Sequence, residues 1–465
     1  MHVMHIEELI KPVSGFPEYL PEEEIYKQKL LGIIRNNFEL FGFCPFETPA
    51  VARIEVLTTK GGIDQKEIYV LGHLLQEQKE SRIGKQSKLG LCFDLTVPLA
   101  RYVACHRNDI IFPFRRYQIQ KVWRGERPQA GRFREFYQCD IDVIGRQSLS
   151  LSFDAEMPII IYHIFKEMNV GEFVVHINNN KILKGFLEGL CVPSDEVDAL
   201  MRELDKIQKI GEEAVKNNLY HMGLGKDNIE KVFTLVNFAG NTGDFLTELT
   251  QIDGNELYQQ GIDELGEVVK KMDMMGMPRD SFQIDLKIAR GLDYYTGTVY
   301  ETTLKAHPEL GSICSGGRYD DLTSYFLPNS TEQFPGVGIS IGLDRLFNYL
   351  KARDILKIKQ ATVSPIMIAM QDVKYFENYC KISSWLRKKG IRTEIFLEQK
   401  KLKRQLEYAD KKGFPFVIIA GEEEFKQDMI KIKDLSIGQE IAFSIRDEEN
   451  FASMVKRLVD FLPKR

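Results

Sequence analysis

With 465 residues, 43% of them hydrophobic and 28% charged, the chain exceeds a single hydrophobic core and is too apolar for a disordered protein, so two or three globular domains are expected. No apolar run reaches the roughly 20 residues that cross a bilayer, and a net charge of −5 does not advertise a nucleic-acid binder. Seven cysteines, at 44, 92, 105, 139, 191, 314 and 380, are scattered without a CxxC pair; neither a disulfide framework nor a structural metal site is expected, and a reducing compartment fits.

The opening stretch MHVMHIEELIKPVSGFPEYLPEEE offers neither the basic nor the apolar segment of a secretory signal. From about Glu22 to Phe41, the residues Tyr26, Leu30, Ile33, Ile34, Phe38 and Phe41 recur at helical spacing and predict an amphipathic helix, stopped by Gly42. FCPFETP follows as an extended segment ending at Pro49. Residues 68–72 and 90–95 predict short strands, and Val97–His106 a helix with Pro98 in its first turn, where a missing amide is tolerated. Strands are expected at Phe112–Trp123 and Phe133–Ile144, joined by RGERPQAGR, whose Gly, Pro and charge mark an exposed hairpin loop. A long helix is expected from near Asp154.

Leu183–Met275 is mainly helical and acidic and interrupts a strand-rich body, as an insertion does. Strands return at Ser281–Ile288, Gly297–Thr303 and Val337–Ile341, the last leading into a helix from Gly342. Hairpin-joined strands predict an α+β fold on a mixed, largely antiparallel sheet flanked by helices. After Leu350, KARDILKIKQ reads as a linker to a compact α/β domain with strands at Ile366–Met370, Arg392–Leu397 and Phe416–Ala420, two more strands and a terminal helix. Arg353–Arg465 carries 23 basic and 17 acidic residues, a surplus of +6 against −11 for the remainder. That suits a polyanion docking at one end, and chance asymmetry between solvated surfaces explains it equally well.

Four segments carry possible chemistry. At the hairpin, Arg124 and Glu126 end one strand while Arg132 and Arg134 begin the next; converging guanidinium forks make a phosphate clamp, and a solvated loop tip would have the same composition. In ARGLDYYTGTVYE (Ala289–Glu301), an extended backbone would send Tyr294 and Tyr295 to opposite faces, one into the core and one to a cavity. Arg290 in that apolar segment is costly unless an anion meets it. In CSGGRYDDL, from Cys314, Gly316 and Gly317 permit close backbone approach and Tyr319 is expected at a turn; an ordinary glycine turn is the plainer reading. In PGVGISIGLDRL (Pro335–Leu346), a small-residue strand feeds a helix whose Arg345 either stacks on a nucleobase, binds a phosphate or is simply solvated.

Taken together and in this order, these segments resemble the class II aminoacyl-tRNA synthetases. FCPFETP resembles their first, dimer-forming motif, FRRYQIQKVWRGERPQAGRFREFYQCDID the second and PGVGISIGLDRL the third. RGLDYYTGTVYE and SGGRYDDL resemble the two motifs peculiar to histidyl-tRNA synthetases, and the resemblance spans essentially the whole chain. FDLTVPLARY (Phe93–Tyr102) and QCDID (Gln138–Asp142) resemble the eukaryotic-type branch more than the common bacterial one, whereas SGFPEYLP departs from the usual N-terminal segment.

The resemblance implies a cytoplasmic homodimeric ligase that activates histidine with Mg²⁺-ATP and transfers it to the 3′ end of histidine tRNA, with no structural metal. It implies a catalytic domain in two parts, 1–182 and 276–352, a helical insertion domain at 183–275 and an anticodon-binding α/β domain at 363–465. Carried over residue by residue, Asp94, Thr96 and Gln138 hold the histidine ammonium, while Asp142 and Tyr295 contact the imidazole, with Tyr294 and Tyr319 completing the pocket. Arg124 and Arg290 serve the α-phosphate, and Glu126, Arg132 and Arg345 the rest of ATP. The rival functions are a non-catalytic relative (a regulatory subunit of histidine biosynthesis or a histidine sensor) and a synthetase for threonine, proline or glycine. The four arginines 124, 132, 290 and 345 argue against the first, and the two histidine-type motifs against the second.

Overall fold

A computed structural model describes residues 9–59, 65–72, 88–127, 131–238, 242–288, 294–356, 358 and 360–460. The chain forms two compact units, one built mainly of Leu30–Arg353 and the other of Asp354–Arg465 with Glu18–Lys29.

From Leu30 onward, where it belongs to the first unit, the helix Pro21–Leu40 buries Leu30, Ile34 and Phe38 of the expected stripe, and also Leu31, which lies beside it. Strand β1 (Cys44–Pro45) follows, then β2 (Val51–Arg53), β3 (Val70–Leu71) and β4 (Leu89–Leu91), which pair in the order β2-β4-β3 as a small antiparallel sheet. The helix Thr96–His106 leads to β5 (Phe114–Trp123) and β6 (Glu135–Ile144), a long hairpin. The helix Ser152–Met168 follows. Strands β7 (Phe173–Asn179), β8 (Phe282–Ile284), β9 (Thr298–Leu304), β10 (Cys314–Tyr319) and β11 (Gly336–Gly342) complete an eight-stranded sheet in the order β1-β5-β6-β11-β10-β9-β7-β8. Among the described residues, only the β1–β5 and β7–β8 pairs of this sheet are parallel, so the sheet is mixed and largely antiparallel.

Because side chains alternate along each strand, the sheet sorts its residues onto two faces. Cys139, Ile141 and Val143 of β6 lie opposite Ile341, Ile339 and Val337 of β11, and all are buried on the apolar face. The helix Ser152–Met168 covers that face with Ala155, Met157, Ile160, Ile161 and Ile164, and the Tyr300 hydroxyl donates to its Asp154 carbonyl at 2.8 Å. The opposite face carries Gln138, Asp140 and Asp142, and there the candidate site lies.

The structure corrects the sequence reading at three strands. FVVHINN forms β7, which the sequence reading did not separate from its surroundings; Val175 and Ile177 face the core, and Asn179 caps the next helix by accepting from the Lys181 amide at 3.0 Å. CSGGRY is the inner strand β10, not a turn. Its glycines allow close packing of strands: a Cβ at Gly316 would lie 2.1 Å from the Gly338 carbonyl oxygen. The strand expected at Ser281–Ile288 stops at Ile284, because Asp285 turns the chain by accepting from the Lys287 amide at 3.0 Å. Between β7 and β8 the chain is helical, from Asn180–Gly189 to Glu256–Met274.

The second unit contains β12 (Ile366–Met370), β13 (Thr393–Ile395), β14 (Phe416–Ala420), β15 (Met429–Asp434) and β16 (Glu440–Ser444), in the order β13-β12-β14-β15-β16. Helices Phe376–Lys388 and Glu448–Asp460 pack Tyr379, Ile382, Leu386, Phe451 and Val455 on one side of this sheet, and the helix Leu402–Lys412 packs Ala409 on the other. Gln405 is fully buried and accepts from the Met370 amide at 2.9 Å while donating to the Met370 carbonyl at 2.8 Å.

Candidate active site

Strand register assembles the site floor. Arg116, Gln118 and Gln120 of β5 stand opposite Asp142, Asp140 and Gln138 of β6, and these in turn face Gly338, Ser340 and Gly342 of β11. Six polar side chains therefore share one patch with two glycines and a serine. Gln138 Nε2 donates to Ser340 Oγ at 2.9 Å, and Ser340 also hydrogen-bonds Asp140. Arg116 is fully buried, with Nη2 at 2.5 Å from Asp142 Oδ2. The Tyr319 hydroxyl donates to Asp142 Oδ1 at 2.6 Å.

Asp94 and Thr96 enter from the start of the helix Thr96–His106, where Asp94 Oδ1 accepts from the Val97 amide at 3.3 Å. Tyr294 and Tyr295 precede β9, so the chain is not yet extended there and the two do not diverge to opposite faces as expected. Their rings meet edge to face at 4.8 Å in one cluster with Val97, Ala100 and Tyr319, and Tyr294 hydrogen-bonds Thr96. Thus Asp94, Thr96, Gln138, Asp142, Tyr294, Tyr295 and Tyr319, spread over 226 positions of sequence from 94 to 319, converge.

Burial dominates the electrostatics. It pushes the Asp94 carboxyl up to about 6, partly offset by Arg124, and the Asp140 carboxyl up to about 7, partly offset by Arg116. Asp142 is raised by burial as well, against the pull of Arg116 and the Tyr319 hydrogen bond. Asp94 Oδ2, Gln138 Oε1 and Asp140 Oδ1 are buried acceptors with no hydrogen-bond partner among the described residues. Buried acceptors left open in this way suit a cationic donor.

A cationic rim adjoins the pocket. The Arg124 guanidinium lies over the rings of Phe93 (4.4 Å) and Phe136 (5.2 Å), and its Nε donates to the Phe93 carbonyl at 3.3 Å. Burial holds its pKa below the ordinary value, with Asp94 and Glu126 opposing. Arg132 pairs with Glu126 at 3.8 Å and stays half exposed. Arg345 donates to the carbonyls of Ser312, at 3.1 Å, and Leu310, so much of its donor capacity is already engaged. Arg134 donates to the Glu126 carbonyl at 3.1 Å. Arg290 lies outside the described residues.

Sequence reading missed Arg116, Asp140 and Ser340. The signal was present: in QCDID the polar positions 138, 140 and 142 alternate with apolar ones, so a strand that exposes Gln138 and Asp142 must expose Asp140 too.

A mixed, largely antiparallel sheet whose long hairpin brings arginines to the edge of a carboxylate-lined pocket, on the segments that match the three motifs, defines a class II aminoacyl-tRNA synthetase. The family model for histidyl-tRNA synthetase matches residues 15–346, and that for an anticodon binding domain matches residues 360–457. The chain belongs to the histidyl-tRNA synthetase family. It is 43% identical to the histidine–tRNA ligase of Clostridium tetani, over 95% of this chain and 98% of that protein. The crystal structure of histidyl-tRNA synthetase from Nostoc sp. PCC 7120 superposes with a TM-score of 0.86 at 40% identity, covering 97% of this chain and 99% of that one. An ATP phosphoribosyltransferase regulatory subunit/histidyl-tRNA synthetase from Bacillus halodurans shares the fold, with a TM-score of 0.69, at 20% identity, covering 86% of this chain and 96% of that one.

Proposed function

We propose that the pocket between β6, β10 and the start of the helix Thr96–His106 takes histidine, that the arginine rim takes ATP, and that the chain is a histidine–tRNA ligase. The observation that carries this is the set of open, buried acceptors beside Asp142, in a chain of this family. Asp94, Thr96 and Gln138 receive the histidine ammonium. Asp142 accepts an imidazole N–H and the Tyr295 hydroxyl serves the other ring nitrogen, with Tyr294 and Tyr319 as walls. An amino acid lacking those nitrogens leaves buried polar groups unpaired, which is the physical basis of rejection.

Arg124 and Arg290 serve the α-phosphate, and Glu126, Arg132 and Arg345 the rest of ATP. The histidine carboxylate attacks the α-phosphorus and pyrophosphate departs; the 3′-terminal ribose hydroxyl of histidine tRNA then attacks the adenylate carbonyl and AMP departs. Fixed cations stabilise the charge that develops, so no covalent enzyme intermediate is required. Mg²⁺ enters as part of the Mg²⁺-ATP substrate, and the described residues contain no group of three or more His, Cys, Asp or Glu side chains able to hold a metal.

Segments 1–182 and 276–352 act as the catalytic domain, 183–275 as a helical insertion and 363–465 as the anticodon reader. The match of the anticodon binding model to residues 360–457 supports the last. A homodimer is supported by the first-motif resemblance of FCPFETP, whose strand β1 lies at the sheet edge. Placement in the eukaryotic-type branch rests on FDLTVPLARY and QCDID, although the relatives compared above are bacterial. A cytoplasmic location rests on the scattered cysteines, which are unpaired, and on there being no described helix long and apolar enough to cross a membrane.

The test is amino-acid-dependent exchange of labelled pyrophosphate into ATP without tRNA. Exchange with histidine alone, abolished by Arg290→Ala, is the expected result. Exchange with another amino acid overturns the pocket, and histidine binding without exchange favours a regulatory or sensor protein.

A further inference from the structure

We propose that Arg116 is a positioning residue of the histidine pocket, holding Asp142 in place as an ionised hydrogen-bond acceptor for the imidazole N–H. This rests on the histidine reading of the pocket and adds a residue that the motifs do not single out. Arg116 and Asp142 are direct cross-strand partners in the β5–β6 register. Arg116 is 0% exposed and its Nη2 sits 2.5 Å from Asp142 Oδ2. Asp142 Oδ1 meanwhile receives the Tyr319 hydroxyl at 2.6 Å. Each oxygen of the carboxylate is thus fixed by one group and keeps lone-pair capacity for a ligand.

Without a counter-charge, a carboxyl buried this deeply would keep its proton and present a donor where the ligand needs an acceptor. A guanidinium cannot lose its proton in compensation, so Arg116 supplies a permanent charge. The other charged or titratable groups around Asp142 do not replace it. Asp140 shares its strand and Asp94 lies nearby, and both are acidic; Tyr319 and Tyr295 are neutral phenols; Arg124 is directed to the Phe93 and Phe136 rings. Gln118 Oε1, at 3.5 Å from Arg116 Nη1, gives the guanidinium a second anchor.

The test compares full-length wild type, Arg116→Lys and Arg116→Met in pyrophosphate exchange, varying histidine and ATP separately between about pH 6.5 and 9. For Arg116→Met, the KM for histidine should rise roughly 30-fold or more near pH 7, as for removing one partner of a buried ion pair. Its kcat and KM for ATP should stay within roughly threefold. The ratio of variant to wild-type KM should fall as pH rises, because Asp142 then ionises without help. Arg116→Lys, which keeps the charge but not the fork, should recover most of the loss and flatten the profile. If circular dichroism shows that Arg116→Met does not fold, Arg116→Lys carries the test, with a rise of roughly three- to tenfold in the histidine KM alone. An unchanged histidine KM, or equal pH-independent changes for both substrates, would overturn the role of Arg116 while leaving the histidine pocket standing. Wild type that exchanges no histidine overturns both.

Discussion

The Tyr319 hydroxyl on β10 reaches Asp142 Oδ1 on β6 at 2.6 Å by passing over the strand that separates them, β11. The path exists because β11 carries glycine at both crossing points. A Cβ on Gly338 would fall 2.2 Å from Asp142 Oδ1, and one on Gly336 would fall 2.4 Å from the Tyr319 ring. Gly338→Ala should therefore displace Asp142 and raise the histidine KM by roughly tenfold or more, about 1.4 kcal/mol, with a smaller effect on ATP. Steady-state exchange kinetics read this directly, and an unchanged histidine KM would refute the close-packing argument.

On the apolar face, Arg318 binds Asp154 in a bidentate pair, Nη2 to Oδ2 at 2.7 Å and Nε to Oδ1 at 3.1 Å, and also donates to the Leu149 carbonyl at 3.0 Å. Asp154 is 0% exposed. Arg318→Met strands that carboxylate and should destabilise the unit by about 3–5 kcal/mol. The combined Arg318→Met, Asp154→Leu variant, which removes both charges, should regain much of the loss. Thermal melts of the two variants side by side decide the matter, and a double variant no better than the single would contradict it.

The buried carboxyls of Asp94, pushed up to about 6, and Asp140, pushed up to about 7, imply a definite sign of pH dependence. Both lie above the value of about 3.9 for an unfolded aspartate, so the folded state holds these protons more tightly. Their contribution to stability is complete below about pH 4 and is lost as pH rises through 6 and 7. Asp140→Asn, which cannot ionise, should match the wild-type melting temperature near pH ~4 and exceed it by a growing margin up to pH ~8. The same offset at both pH values would rule out this origin.

Gln405 ties the helix Leu402–Lys412 to the end of β12 through the Met370 amide and carbonyl, and its Nε2 also donates to the Lys400 carbonyl at 2.8 Å. Gln405→Leu leaves buried backbone groups unpaired, at about 1–3 kcal/mol each. In a Trp123→Phe background, Trp385, which packs on Phe451, is the single tryptophan and reports on this unit. Its fluorescence transition in urea should move to lower concentration, while histidine-dependent exchange changes less than tRNA charging. A midpoint that does not move would show the Gln405 bonds to be dispensable.

Much of this molecule is written locally. The stripe of Leu30, Ile34 and Phe38, the hairpin around RGERPQAGR and the strand–helix alternation after Ile366 depend on side-chain periodicity and turn chemistry, which act over a few residues. Five motif-like segments in a fixed order were enough to point to the family. Tertiary structure alone decided the rest. CSGGRY has weak strand propensity by itself, and it is a strand because β9 and β11 bond it from both sides and only glycine fits between them. Tyr294 and Tyr295 share one pocket wall because β9 begins only at Thr298. Arg116 meets Asp142 because the hairpin register sets them opposite each other, although 26 positions separate them in sequence. Periodicity states which residues share a face; which residues of different strands touch depends on register and burial, and those arise only when the sheet assembles.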